Sequence, residues 1–299
     1  MNASPNSSAP IVLTTDFGLS DAFVGVMKGV ILRINPLATI IDLTHDIRPQ
    51  NLQQGAFVLG VNYPYFPPGS IHVAVVDPGV GTNRRAIVLE TPGAVFVAPD
   101  NGLLSEVIKR NLPTGKNIEQ PQDGSPGVVD LPDSLKAYEL TEGSYRLEPV
   151  SSTFHGRDVF APAAAHISMG VAPAEMGPRI DKLVYHPLPE PTRTGDVLAG
   201  EVIYVDRYGN LITNISRSDF SIAEGSSAKA SVEIAGCQIH GLSRTFHDEQ
   251  AGVVSSPAVP PLVALFGSSG YLEVAVPDGN AAQSLSAGTG TIVRFTSSR

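Results

Sequence analysis

The sequence predicts an α/β protein, with an N-terminal domain built on a mostly parallel sheet flanked by helices and a C-terminal all-β domain of barrel or sandwich type. Three observations carry that prediction. Apolar, β-branched runs alternate with stretches of helical periodicity as far as about residue 110, the pattern of repeated β-loop-α units. Beyond the proline-rich stretch 185–191 the strand-like runs continue without helical patterns between them. The 299 residues, 42% hydrophobic and 16% charged, can bury one large core or two ordinary ones.

Residues 11–15 have the length and branching of a buried strand, and Asp16-Phe-Gly-Leu-Ser-Asp21 follows at its carboxyl end. Phe23, Val26, Met27, Val30, Ile31 and Ile34 then recur at helical spacing until Asn35-Pro36 stops the helix. Residues 38–43 form the next strand, and residues 51–61 a helix that ends before Tyr63-Pro64. Residues 73–76 and 86–89 are continuous apolar runs suited to strands buried on both faces. Between them lies Asp77-Pro-Gly-Val-Gly-Thr-Asn-Arg-Arg85, where Pro78 keeps Asp77 out of the α region and the glycines permit positive φ or close backbone approach. In an open α/β sheet ligands gather outside the carboxyl ends of the strands, so the Asp16 and Asp77 loops share one edge.

Residues 95–98 form a further strand, leading through Pro99-Asp-Asn-Gly102 to a short helix over 103–108. Residues 111–137, rich in Pro, Gly, Asn, Gln and Asp, read as a surface excursion. Ser152-Thr-Phe-His-Gly-Arg-Asp158 precedes an alanine-rich helix over 159–169, whose start attracts anions. The expected division is a fraying segment 1–10, an α/β domain 11–186, a stiff linker 187–195 set by Pro187, Pro189 and Pro191, and a β domain 196–299. Strands are expected there at 197–205, 211–215, 228–234, 262–266, 271–276 and 291–295. Polar turns at 206–210, 267–270 and 277–280 separate them.

A formal net charge of -9 and a pI near 5.2 argue against nucleic acid or an anionic membrane surface as partner. The single cysteine, Cys237, cannot form an internal disulfide and suits a cytoplasmic location, while no Cys/His cluster has zinc spacing, so no metal is expected. Residues 1–10 lack a signal-peptide pattern, and no apolar run approaches the roughly 18 residues of a membrane span. Gly79 and Gly81 lack the Lys-Ser/Thr of a phosphate loop, and no Gly-x-Ser-x-Gly elbow is present. Taken alone, Asp77 is equally well explained by a salt bridge that orders its loop, and His155 by hydrogen bonding at a helix start.

Five motifs in order change that balance. Thr14-Thr-Asp-Phe-Gly18, Val75-Val-Asp-Pro-Gly-Val-Gly81, Ala98-Pro-Asp-Asn-Gly102, Ser152-Thr-Phe-His-Gly-Arg-Asp158 and Asp206-Arg-Tyr-Gly-Asn210 resemble those of the S-adenosyl-L-methionine hydroxide adenosyltransferases. These are hydrolase relatives of the fluorinating and chlorinating enzymes that use the same substrate. The resemblance, which runs from about residue 11 to 296, implies a C-terminal β-barrel. It also implies a homotrimer whose active sites lie between the N-terminal domain of one subunit and the C-terminal domain of a neighbour.

The resemblance implies Asp77, Arg84 and His155 as the catalytic trio, from which the halogenating relatives depart by placing tyrosine or glycine at the aspartate. Consecutive side chains of an extended segment point to opposite faces, so only one of Arg84 and Arg85 faces the ligand. The family pattern selects Arg84 and leaves Arg85 as a structural partner. It further implies ribose contacts from Asp16, ammonium contacts from Asp21 and Asp206, and adenine contacts from Tyr208 and Asn210. Ser268 and Ser269 correspond to the loop that meets the methionine carboxylate, with Phe154 and Gln50 as pocket positions.

The implied reaction is displacement of methionine from the ribose C5′ of S-adenosyl-L-methionine by one in-line water, giving adenosine and L-methionine without a cofactor. The sulfonium leaves as a neutral thioether, so no general acid is needed at sulfur, and aligning the water matters most. Asp77 and His155 are both candidates to receive the proton, with Arg84 holding the carboxylate ionised. Two other readings are a halide-dependent 5′-halo-5′-deoxyadenosine synthase and a non-catalytic protein that binds adenosine or S-adenosyl-L-methionine.

Overall fold

The apolar runs of the first half of the chain assemble into a seven-stranded sheet. The computed structural model describes residues 9–113, 125–219, 230–247, 253–254 and 260–297. Two units emerge, the first running through Pro187 and the second from Leu188. The first contains β1 (Ile11–Thr15), α1 (Phe23–Ile34), β2 (Ile40–Thr44), α2 (Leu52–Asn62), β3 (Ser70–Val75), β4 (Ala86–Glu90), β5 (Ala94–Pro99) and α3 (Ser105–Arg110). It continues with β6 (Gly127–Asp130), β7 (Lys136–Glu139), α4 (Ala161–Ser168), β8 (Arg179–Ile180) and β9 (Lys182–Tyr185).

The strand order is β2-β1-β3-β5-β4-β7-β8. The first four strands of that order run parallel, while β4, β7 and β8 join antiparallel, so the sheet is largely parallel with an antiparallel flank. Because β5 lies between β3 and β4, the Asp77 loop is a crossing between strands that are not neighbours and is not a hairpin. β1, β3 and β5 are buried along their whole lengths, which is why their sequences are near-continuous apolar runs instead of alternating ones. Met27 and Ile31 of α1 and Ala164 and Ile167 of α4 pack with Leu13, Val73 and Val97 in one core. α2 and α3 approach so closely that a Cβ on Gly60 would lie 2.5 Å from Glu106 Cβ.

The stretch read as a surface excursion departs from that expectation. β6 pairs with β9, and β7 joins the main sheet beside β4, while residues 114–124 lie outside the described part. The runs concerned, Val128-Val129 and Ala137-Tyr138, are too short to show a period against the polar residues around them. At the other end of the unit residues 1–8 lie outside the described part, and Pro10 is already buried, its carbonyl accepting the Ile71 N–H at 2.9 Å.

The second unit contains β10 (Thr192–Thr194), β11 (Val197–Val205), β12 (Leu211–Ser216), β13 (Ala230–Ile234), β14 (Cys237–His240), β15 (Val253–Val254), β16 (Val263–Phe266), β17 (Tyr271–Ala275), α5 (Ala281–Ser284) and β18 (Ile292–Ser297). Its strands form one antiparallel, nearly closed sheet. The nine-residue β11 pairs with β18 along its first half and with β12 along its second, which turns the sheet around a core of Leu198, Val202, Val232, Val274 and Phe295. Closure is approached where the Ser243 N–H donates to the Ala264 carbonyl at 2.8 Å, linking the segment after β14 to β16. β10 pairs with β11, so Thr192–Thr194 is a strand where the prolines suggested only a linker. Residues 228–229 of the expected strand lie outside the described part. No described helix is long and apolar enough to cross a membrane.

Candidate active site

The segments that follow β1, β2 and β3 meet the stretch before α4 around a cleft of about 360 Å³, lined by Asp16, Phe17, Phe23, Gln50, Asp77, Val80, Phe154 and His155 among others. Asp77 sits just past β3, with Arg84 folded back onto it. The Arg84 Nε–H reaches both carboxylate oxygens at 3.0 Å, a terminal guanidinium nitrogen also donates to Oδ2, and both side chains are nine-tenths or more buried. The same terminal nitrogen lies 2.7 Å from His155 Nδ1, so one guanidinium bridges the carboxylate and the imidazole. It also lies over the Phe160 ring, 5.3 Å from the centroid.

That bridge fixes the state of the histidine. A guanidinium has donors and no acceptor, so Nδ1 must present its lone pair and a neutral ring carries its proton on Nε2. Burial and then the adjacent Arg84 charge push the His155 pKa below its ordinary value, outweighing the opposing pull of Asp77 and Asp158. The imidazole is therefore neutral at pH 7.

Two features hold this geometry. Gly81 has φ +77°, and a Cβ there would lie 2.2 Å from the Ser152 carbonyl, so only glycine lets the Asp77 loop rest on the His155 loop. Asp158, 1% exposed, accepts from the Arg157 guanidinium at 2.6 and 2.9 Å and from the Ser151 N–H at 2.8 Å. Burial raises its pKa, but those donors outweigh burial and hold the carboxyl below the usual range. His155 opens the π-helical turn Gly156–Phe160 that runs directly into α4, so the helix begins before residue 159, where the apolar pattern starts. The sequence pattern offers Asp158 only as part of a polar heptad. Its adjacency to an arginine at a helix start was the available signal for a scaffolding role.

Arg85 points elsewhere: its Nε–H donates to Asp100 at 2.9 Å and its terminal nitrogen to the Lys182 carbonyl at 2.8 Å. Asp100 also accepts the Val184 N–H at 2.8 Å. Asp16 accepts the Gln50 N–H at 2.7 Å, and Gln50 takes φ +65° to deliver it, a left-handed conformation that a non-glycine residue adopts at a cost. Burial raises the Asp16 pKa, with repulsion from Asp77 adding to it and the Gln50 amide opposing. Phe17, Phe23 and Phe154 pack mutually edge-on or tilted, with centroids 5.1–5.9 Å apart, forming an aromatic wall. Asp21 is exposed in the segment between β1 and α1.

The remaining sequence-derived positions belong to the second unit. Asp206 closes the turn between β11 and β12, accepting the Tyr208 and Asn210 N–H groups at 2.9 Å and the Asn210 side-chain amide at 2.8 Å. Asn210 is buried and Tyr208 is 77% exposed. Ser268 is exposed and Ser269 half-buried in the turn between β16 and β17. Among the described residues, no group of three or more His, Cys, Asp or Glu side chains is arranged to hold a metal ion.

Comparison with known proteins finds two matching family models. Residues 11–177 match the S-adenosyl-L-methionine hydroxide adenosyltransferase N-terminal domain, and residues 200–294 match the corresponding C-terminal domain. The chain is 35% identical over 286 residues to the (R)-S-adenosyl-L-methionine hydrolase of Thermus thermophilus, covering 96% of this chain and 99% of that protein. A Fluorinase from Actinoplanes sp. is more distant, 27% identical with 90% and 91% of the two chains covered. A crystal structure of an uncharacterised conserved protein from Thermotoga maritima superposes with a TM-score of 0.79 at 33% identity, covering 96% of this chain and 99% of that one.

Proposed function

The chain belongs to the S-adenosyl-L-methionine hydroxide adenosyltransferase family, and from that premise we propose that it hydrolyses S-adenosyl-L-methionine to adenosine and L-methionine, with Asp77, Arg84 and His155 handling the attacking water. The observation that carries the residue assignment is the single guanidinium bridging a carboxylate and an imidazole that both line the cleft. The relative's name bears an R descriptor. Because L already fixes the amino-acid carbon, the descriptor denotes the sulfonium sulfur, and we extend that preference to this chain.

The water stands opposite the bond from C5′ to sulfur. Asp77 receives its proton as the oxygen attacks C5′, and the electron pair of the breaking bond goes to sulfur, which departs as the neutral thioether of methionine. A carboxylate is a far weaker base than hydroxide and does not deprotonate water beforehand, so transfer accompanies attack. His155 is not the base, since its Nδ1 lone pair is committed to Arg84; its Nε2–H donates to the water oxygen as hydroxide character grows. The step needs no metal, so activity survives EDTA. Asp16 holds the ribose diol, Asp21 and Asp206 the ammonium, Tyr208 and Asn210 the adenine, and Ser268 and Ser269 the carboxylate. Phe154 and Gln50 complete the pocket.

The same reading assigns a homotrimer whose sites join the first unit of one subunit to the second unit of a neighbour. Its support is exposed apolar area around the start of α1, where Leu19, Phe23 and Val26 are 39–69% exposed. Sedimentation equilibrium tests this assignment: three protomer masses are expected, and a single protomer mass removes it. A cytoplasmic location is part of the proposal and is compatible with the free, buried Cys237.

Chromatography of each sulfonium epimer with enzyme tests the activity: adenosine and methionine appear, faster from the R epimer and regardless of added chloride or fluoride. A halonucleoside formed in proportion to halide replaces this reading with the synthase. The pH profile tests the role of His155. Its pKa is lowered, so kcat/KM stays level through neutral pH and declines only as pH falls below the ordinary histidine value of about 6.5. A decline that begins above pH 7 removes the neutral-donor assignment.

A further inference from the structure

β17 carries one charged residue in an otherwise apolar run, and that residue, Glu273, is 8% exposed. Its neighbours Leu272 and Val274 belong to the core of the second unit, so Glu273 points to the other face of the sheet. There its carboxylate lies against the turn between β16 and β17. A Cβ on Gly267 would fall 1.8 Å from Glu273 Oε1, so the backbone of that turn passes directly over the carboxylate. The Ser269 hydroxyl is beside it, and its buried Oγ has no aligned hydrogen bond. Glu273 pairs with Ile212 of β12, and Asp206 opens the turn that leads into β12, so the two carboxylates act on each other as like charges; among the described residues neither has an ion-pair partner.

A buried carboxylate held beside a second one is unfavourable until a cation joins them. The two are also fixed in place, Asp206 by the three donors of its own turn and Glu273 by the turn closed over it. On the hydrolase reading given above, we infer that Glu273 joins Asp206 in binding the α-ammonium of the methionine half of the substrate, with the Ser269 hydroxyl alongside. Burial first, and then Asp206, raise the Glu273 pKa, and a bound ammonium offsets both. Glu273 is thus a recognition residue that selects sulfonium substrates bearing an amino-acid tail.

Glu273→Gln keeps the shape and removes the charge. The probes are S-adenosyl-L-methionine and 5′-deoxy-5′-(dimethylsulfonio)adenosine, which has the same bond from C5′ to a sulfonium and no amino acid. The variant raises KM for the first by roughly 10- to 100-fold with kcat nearly unchanged, the size expected for a lost charge-assisted bond, and leaves kcat/KM for the second within about twofold. Equal losses on both probes mean that Glu273 only supports the turn, and no loss on either means that it has no role; both overturn the inference. Should Glu273→Gln not fold, Glu273→Asp keeps the charge on a shorter arm, and a KM effect confined to the amino-acid substrate is again required. Wild-type enzyme that releases adenosine from neither probe sinks the hydrolase reading. Calorimetry of L-methionine against 4-(methylthio)butanoate then decides the ammonium site separately, since a wild-type preference for the amino compound that Glu273→Gln abolishes supports it and the absence of any preference removes it.

Discussion

Arg84 and Arg85 are adjacent in the chain, each is paired with a nearly buried aspartate, and the two pairs do different things. Arg84 joins Asp77 to His155 at the edge of a cleft, where the third partner is a titratable ring and the fourth is open space. Arg85 joins Asp100 to the backbone of β9, where every remaining polar partner is a main-chain group. Composition and the burial of the acid do not distinguish them: the Asp77 and Asp100 side chains are 5% and 3% exposed. What separates chemistry from scaffolding here is whether an ion pair ends on groups that can still change protonation or partner. The same division sorts the histidines, since His155 faces the cleft while His72 is walled in by Tyr63, Phe66 and Phe96.

The largest expected effect comes from neutralising one aspartate of each pair. Asp77→Asn keeps the size of the side chain and lets its amide oxygen meet Arg84, but removes the proton acceptor. Adenosine release per folded molecule falls by roughly 10²- to 10⁴-fold, and stability falls as well, because Arg84 is left nine-tenths buried with a neutral partner. Asp100→Asn leaves turnover per folded molecule within about twofold and instead lowers unfolding free energy by about 1–3 kcal/mol in urea, because Arg85 and the Val184 amide lose a charged acceptor. Arg85 is about a third exposed, which keeps that cost below the value for a fully buried pair. A catalytic collapse in Asp100→Asn at unchanged stability would dissolve the distinction.

The second effect concerns His72. Its ring is 0% exposed, stacks on Phe96 at 5.1 Å and makes no hydrogen bond through either nitrogen, and burial lowers its pKa to about 4. In the unfolded chain the ring titrates near 6.5. Below that value the unfolded state binds a proton that the folded state refuses, so stability is full above pH 6.5 and is lost as pH falls toward 4. The shift corresponds to about 3 kcal/mol. His72→Phe removes that component of the acid dependence, which equilibrium urea unfolding at pH 7 and pH 4.5 measures directly. An unchanged pH slope in the variant assigns the acid sensitivity to other groups.

Much of the first unit was legible because buried strands and amphipathic helices leave periodic traces. Residues 11–15 and 23–34 are read from the sequence at the bounds the fold gives them, since each meets its neighbours through a continuous apolar run or stripe. β6 to β9 left no such trace: they are two to four residues long, and what makes them strands is pairing with distant partners. The alternation of faces predicted that Arg84 and Arg85 would part company. It could not say that one guanidinium would reach His155, 71 positions away, because that contact depends on Gly81 admitting the Ser152 carbonyl. Glu273 was visible only as a charge inside an apolar run, and its importance rests on a glycine six positions earlier, whose missing side chain makes room for the carboxylate.

The smallest effect is also the closest comparison, because it keeps both positive charges. Arg84→Lys replaces a planar fork serving two acceptors with a point charge on a shorter donor set. A lysine that reaches Asp77 has no rigid second arm for His155 Nδ1, so one charge-assisted hydrogen bond is lost and the imidazole is free to exchange tautomers. One such bond corresponds to a loss of roughly tenfold in kcat/KM. Arg85→Lys also loses a fork, but one whose partners are a carboxylate and a main-chain carbonyl, and its effect on kcat/KM stays below about twofold. The two variants measured side by side with S-adenosyl-L-methionine therefore test position at constant charge. If both lose activity alike, the cleft reads net charge alone, and the geometric bridge between Asp77 and His155 is not what makes residue 84 different from residue 85.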